Sequence, residues 1–286
     1  MGPSFRYHLS TLIAIFLALG VGMVIGNSYV QDKVVEGLAS QQERLDQQFR
    51  EQVTRYQKEN DRYGDWIETI RPLVLKDRLK GRRVALVQTG DYPGLAPLIQ
   101  DRLKEAGATV ASRTVVKPGF PGIADQNLTA ILARLRDTHP GIEIDRSAIT
   151  RVLALAVGKG KADADLDVLA SSGLIDREGD YSAPVQCAIV AGGARDESAS
   201  ARVEAVDKPL IRSLKELGVQ VVLVEPTDVA VSYVPLVRDL DIATVDNADS
   251  DIGQVSAVLA FDSPASDYGV KGARGGIVPR PSLPGQ

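Results

Sequence analysis

Cysteine, histidine and methionine are almost missing from this 286-residue chain: there is one cysteine, with two histidines and two methionines. A lone Cys187 excludes an intramolecular disulfide framework, so the fold depends on packing alone. So few soft or imidazole side chains leave little for a transition-metal site, and no C-x-x-C or H-E-x-x-H spacing occurs. No Ser/His/Asp or Cys/His arrangement for nucleophilic catalysis is discernible either. Aromatic residues are only 5%, which argues against a carbohydrate-stacking surface. A basic surplus is also lacking: the formal charge is −4, and nothing in it would grip a nucleic-acid backbone.

What the chain does have is one long apolar run. Leu9 to Ile25 contains no charged residue, and it extends through Gly26 to Val30 with only Asn27, Ser28 and Tyr29 interrupting it. About 20 residues suffice for a helix to cross a hydrocarbon core. Tyr7 and Tyr29 flank the run, where amphipathic rings favour the headgroup region. A cleaved signal peptide and a buried core helix are the competing readings. The length of the run, the sparse charge before it (Arg6 and His8) and the lack of a clean A-x-A exit favour an uncleaved anchor. Charge balance at the two ends favours a cytoplasmic N-terminus. Gly22 and Gly26, with Gly20 nearby, form a G-x-x-x-G pair at which two membrane helices can approach closely.

Residues 31–79 read as a helical stalk. From Gln31 to Ile70 there is no proline, and Val34, Leu38, Leu45, Phe49, Tyr56, Tyr63, Trp66, Ile70 and Leu73 recur at steps of three and four once Gln41, Gln52 and Glu59 fill the gaps. This is a coiled-coil pattern with a polar seam, and Pro72 is expected to end it. Two uses of the stripe stay open: association with a second copy or a partner, and folding back onto the chain's own domain. No matching stripe follows downstream, so a parallel homodimer through Gly22, Gly26, Val34, Leu38, Leu45 and Phe49 is the expectation. Tyr56, Tyr63 and Trp66 are candidate partner-binding anchors, with dimer packing as their alternative role.

Residues 80–268 read as an α/β domain of Rossmann-like parallel-sheet type. Val84–Val87, a helix over 95–106 closed by Gly107, and a strand over 109–116 form one β-α-β unit. Strands at 185–190, 219–224 and 242–245, with helices at 209–217 and 252–261, repeat that grammar. Residues 127–180 read as a helical insertion over the sheet edge, in which 158–167 is a solvated loop. The tail, 269–286, with four glycines and three prolines after Lys271, reads as irregular. Gly192-Gly193 after a strand is the best candidate for an anion-cradling loop, although it lacks the G-x-G-x-x-G spacing and a tight turn explains it as well. Asp246, Asp249 and Asp251 cluster before the last helix, where capping by Asp251 and solvation explain them better than metal binding. No catalytic, cofactor-binding or metal residue is assigned.

Arg6-Tyr7-His8, the run Phe16-Leu17-Ala18-Leu19-Gly20-Val21-Gly22 with Gly26, and the closing Tyr268-Gly269-Val270-Lys271 followed by Ala273 and Pro279 resemble a bacterial family. That family is named after the mycobacterial copper transport protein MctB and includes the corynebacterial cell-separation protein SteB. The resemblance implies a membrane-anchored extracytoplasmic protein in the cytoplasmic membrane. It offers two functions: copper handling, and control of envelope remodelling beside a SteA-like membrane partner and a peptidoglycan hydrolase. The sequence favours the second, a non-enzymatic scaffold, because the only soft ligands beyond the membrane run are His139 and Cys187.

Overall fold

A computed structural model describes residues 4–280 apart from 121, 139–145, 161–162 and 198–199. It divides into two compact units, Met1–Asp65 and Trp66–Gln286. Helix α1, Ser4–Leu75, supplies all the described structure of the first unit and opens the second. Within it Tyr7–Gly26 is long and apolar enough to cross a membrane, and no part of that span is buried against protein.

The second unit is a seven-stranded sheet in the order β3-β2-β1-β4-β5-β6-β7. Its strands are β1 (Arg83–Gln88), β2 (Thr109–Val116), β3 (Ile175–Gly179), β4 (Cys187–Ala191), β5 (Gln220–Val224), β6 (Ala243–Val245) and β7 (Asp267–Tyr268). All pairings are parallel except β2 with β3. Parallel strands joined by crossover helices must bury both faces, which is why they read as unbroken apolar runs. Alternation along each strand sorts the side chains. Ala85, Val87, Ala188, Val190, Val221 and Leu223 face one core with α4 (Arg146–Lys159) and α7 (Lys208–Glu216). Val84, Leu86, Ile189, Val222 and Val224 face the other with α2 (Leu95–Glu105) and α8 (Asp251–Leu259). The mixed α/β, mostly parallel architecture expected from the sequence is therefore present.

Several local expectations need correction. Helix α1 runs through Pro72 to Leu75: the missing proline N–H removes one rung, but the Pro72 carbonyl still accepts from Lys76 N at 3.1 Å, and Leu75 is sealed in the core. The segment after α3 (Asp125–Thr138) and α4 is not helical throughout, since Ile175–Gly179 forms β3 on the edge of the sheet. Gly173, in the left-handed region at φ +71°, reverses the chain into it. Nor does α4 lie over the edge; its Val152, Leu153 and Ala156 are part of the core beneath the sheet. Most of 158–167 is not a solvated loop: Gly158 and Lys159 close α4, and 163–167 open α5 (Asp163–Ser171), where Leu166 is fully buried and Arg177 of β3 binds Asp163 at 2.9 Å and Asp167 at 2.6 Å, while 161–162 lie outside the described residues. Helix α8 is capped by Ser250, whose hydroxyl accepts from Gly253 N, and not by Asp251.

The end of α1 carries a direct test. Leu75→Ala should lower stability by about 2–5 kcal/mol, the usual cost of a large-to-small change in a closed core. Leu73→Ala, two residues earlier and 73% exposed, should stay within about 0.5 kcal/mol. Denaturant unfolding of the two variants checks the pair.

Candidate functional site

In a doubly wound sheet the strand order reverses at one point, and ligands enter the crevice at the carboxyl ends of the strands there. Here the reversal lies between β1 and β4, which exit into Thr89-Gly90-Asp91 and Gly192-Gly193-Ala194. Four amides at the mouth of this crevice already have partners. Thr89 N and Gly90 N both donate to Ala191 O, at 3.0 and 2.9 Å, Asp91 N donates to Gly193 O at 3.0 Å, and Gly192 N donates to Val224 O at 2.8 Å. The glycines serve close approach. A Cβ on Gly90 would fall 2.3 Å from Gly192 O, and one on Gly192 would fall 2.5 Å from the Tyr233 ring. Gly192-Gly193 is thus a tight turn that lets two loops and a ring touch.

A charged cluster closes the remaining space. Arg202, in the short helix α6 (Ser200–Arg202), is 7% exposed. Its Nη1 donates to Asp91 Oδ1 at 2.9 Å, and its Nε and Nη2 donate to the Tyr233 hydroxyl at 3.0 and 2.6 Å. Asp91 Oδ2 accepts from Arg195 N at 3.1 Å. Burial pushes the Asp91 carboxyl up, but the hydrogen bonds from Arg202 and the Arg195 amide outweigh it and hold the group below its ordinary range. Burial, followed by the Asp207 charge, pushes the Tyr233 hydroxyl up to about 12. A π-helical turn, Val203–Asp207, links α6 to α7 and brings Asp207 against the Thr89 hydroxyl, which donates to its Oδ1.

Further along the same edge, Glu225 follows β5 and is fully buried. Its Oε1 accepts from Ser232 Oγ at 2.5 Å and Lys271 Nζ at 3.1 Å, and its Oε2 accepts from Tyr233 N at 2.7 Å. Lys271 Nζ also donates to Pro226 O at 2.7 Å. The Tyr268-Gly269-Val270-Lys271 segment is fixed from below by Asp246, which accepts from Val270 N at 2.6 Å and Lys271 N at 2.9 Å. Gly269 is required there, because a Cβ would sit 1.9 Å from Asp246 Oδ1. Asp246 is therefore a buried anchor for the tail, and Asp249, which accepts from Thr227 N and Oγ1 at 2.7 and 2.8 Å, ties a second loop. Burial replaces the solvation expected for Asp246, whereas Asp249 stays exposed as expected while making these bonds.

The stalk candidates are placed differently. Leu38, Leu45, Phe49, Tyr56 and Tyr63 are all exposed along α1, and open space surrounds Gly22 and Gly26. The Val34 side chain lies outside the described residues, as does His139. Trp66, 62% exposed, lines an apolar groove of about 190 Å³ with Ile70, Ile252, Leu259 and Val278. Cys187 is buried on β4, where burial pushes its thiol up and Arg82 Nη1 lies 3.9 Å from the sulfur. Such a thiol is a packing group. Among the described residues no cluster of three or more His, Cys, Asp or Glu is arranged to hold a metal ion.

Arg202, Asp207, Tyr233 and Glu225 were not singled out by sequence reasoning, and only the Lys271 motif carried a signal. Removing Lys271 leaves Glu225 as an unpaired buried charge, so Lys271→Ala should cost about 3–5 kcal/mol. The double variant Lys271→Met/Glu225→Gln should recover part of that loss in the same denaturation assay.

A family model described as "Copper transport outer membrane protein, MctB" matches residues 4–279, nearly the whole chain. No curated protein matches it.

Proposed function

The chain belongs to the MctB family, and from that premise we propose that it is a non-enzymatic, single-pass scaffold of the cell envelope. In this reading residues 1–30 anchor it in the cytoplasmic membrane with the N-terminus inside. Residues 31–79 form the stalk, and the α/β domain (80–268) with its tail (269–286) stands outside the cytoplasm. The family is not known as enzymatic. The observation that carries the reading is the closed switch point: the place where α/β enzymes take a nucleotide is occupied by Arg202, Tyr233 and the two glycine loops. What the molecule leaves open is the stripe Leu38, Leu45, Phe49, Tyr56, Tyr63 and Trp66. Apolar and aromatic side chains at coiled-coil spacing are suited to a second copy or a protein partner. We assign Gly22, Gly26, Val34, Leu38, Leu45 and Phe49 to a parallel homodimer, and Tyr56, Tyr63 and Trp66 to a partner. A SteA-like membrane protein and a peptidoglycan hydrolase are the proposed partners, in cell separation.

Copper transport is the second reading, and the family's own description favours it. Copper(I) requires soft ligands, and Cys187 is buried beside Arg82 while Met23 lies in the apolar span. The word "outer membrane" also sits awkwardly with one apolar helix and an open, mostly parallel sheet, because outer-membrane spans are closed antiparallel barrels.

Crosslinking pull-down from the native membrane, read by mass spectrometry, tests the choice. Recovery of a SteA-like protein or a cell-wall hydrolase is expected, and it should be lost on replacing Tyr56, Tyr63 and Trp66 by alanine while dimerisation persists. If dimerisation collapses instead, those three belong to the seam. Isothermal titration with copper(I) should give no stoichiometric site, and a tight one would replace the scaffold reading by transport.

A further inference from the structure

Asp207 is a fully buried carboxylate that no part of the proposed scaffold role uses. Its Oδ1 accepts from the Thr89 hydroxyl, while its Oδ2 is buried without a hydrogen-bond partner. The backbone around it departs from the ordinary helix: Lys208 N donates to Val203 O, closing the wider π turn that faces Asp207 inward. Such turns inside helices frequently mark functional sites.

We propose that Asp207 is a proton-operated latch. With its carboxyl protonated, the helical segment that carries Arg202 is held against the loop after β1; with the carboxyl ionised, that segment loosens.

The charge arrangement explains why. Asp207 and Asp91 are two carboxylates facing one guanidinium, that of Arg202, whose Nη1 donates to Asp91 and whose Nε and Nη2 donate to Tyr233. A neutral Asp207 leaves this pattern intact and still bonds Thr89. An ionised Asp207 adds a second buried anion with an unsatisfied oxygen, and Arg202 can serve it only by giving up one of its present partners. Among the described residues no other cation is seen to bond it: Lys208 binds Glu204 at 2.8 Å and Asp239 at 3.5 Å, and from α4, which packs on the same turn, Lys159 donates to Leu217 O.

Burial pushes the Asp207 carboxyl up to about 7, against the Thr89 hydrogen bond and the Arg202 charge. The folded state therefore holds a proton that the unfolded chain has released, across the window from the ordinary value of 3.8 to about 7. Stability contributed by this group is greatest at the acid end, falls as pH rises through the window, and is fully lost above it.

The test is hydrogen–deuterium exchange of the full-length chain in nanodiscs at about pH 5.5 and about pH 8, with labelling times scaled to the intrinsic rate. Peptides over 86–94, 200–210 and 228–236 should lose protection at the higher pH, by about tenfold per pH unit in the opening equilibrium across the upper part of the window. In Asp207→Asn that dependence should vanish. The wild type unresponsive to pH, or the variant responding like the wild type, would overturn the latch. Thr89→Val covers the case in which Asp207→Asn fails to fold: it removes a hydrogen bond to the ionised form, so the midpoint should move to higher pH, and an unmoved midpoint counts against the proposal.

Discussion

Arg202 sits where the strand order reverses, and three of its guanidinium nitrogens donate to Asp91 and Tyr233. The surrounding structure depends on that placement. Tyr233 can lie over Gly192 only because glycine has no side chain, and the loop carrying Asp91 can rest on Gly193 only because Gly90 likewise has none. Arg202 directly precedes the π turn that links α6 to α7, on the same face of the sheet as α4. Take the guanidinium away and a carboxylate and a phenol lose their shared partner in a poorly solvated crevice.

A second tie works on the same edge by the same logic. Glu225 is buried after β5, and Lys271 comes from the far end of the domain to meet it, with Asp246 fixing the backbone on either side of the Val270–Lys271 bond. The tail after β7 is thereby made part of the fold although it has no regular structure: Gly269 N and Gly275 N donate to Gly276 O and Asp267 O. The two ties share a neighbour, since Glu225 accepts from the Tyr233 amide while Arg202 holds the Tyr233 hydroxyl. The carboxyl edge, open in many α/β enzymes, is here a continuous buried polar seam.

The sheet was legible because parallel strands are buried on both faces. Runs such as Val84–Val87 and Gln220–Val224 have few alternative readings, and Thr109–Val116 was bounded correctly after the helix-closing Gly107. Strand β3 was hidden because it lies at the edge, where Asp176, Arg177 and Glu178 make solvent-facing ion pairs and carry no apolar signature. The site was hidden for a related reason. An arginine or aspartate destined for burial has the same letter as one on the surface, and only three-dimensional pairing of Arg202, Asp91 and Asp207 separates them. Gly192-Gly193 stood out in the sequence as a turn after a strand, but its partner across the crevice, Gly90, did not. The stalk stripe was legible as a pattern, whereas its occupant is not encoded in one chain.

Membrane attachment and exposed stripe give the molecule its proposed role, but the central physical claim concerns the crevice between β1 and β4. The direct measurement is amide NMR of Gly192 and Gly193 during titration with ATP, NADH and inorganic phosphate. The account predicts that both signals stay in place at millimolar ligand. Saturable shifts at these two glycines, with Asp91 or Arg202 following, would mean that the switch point opens to a ligand and would contradict it.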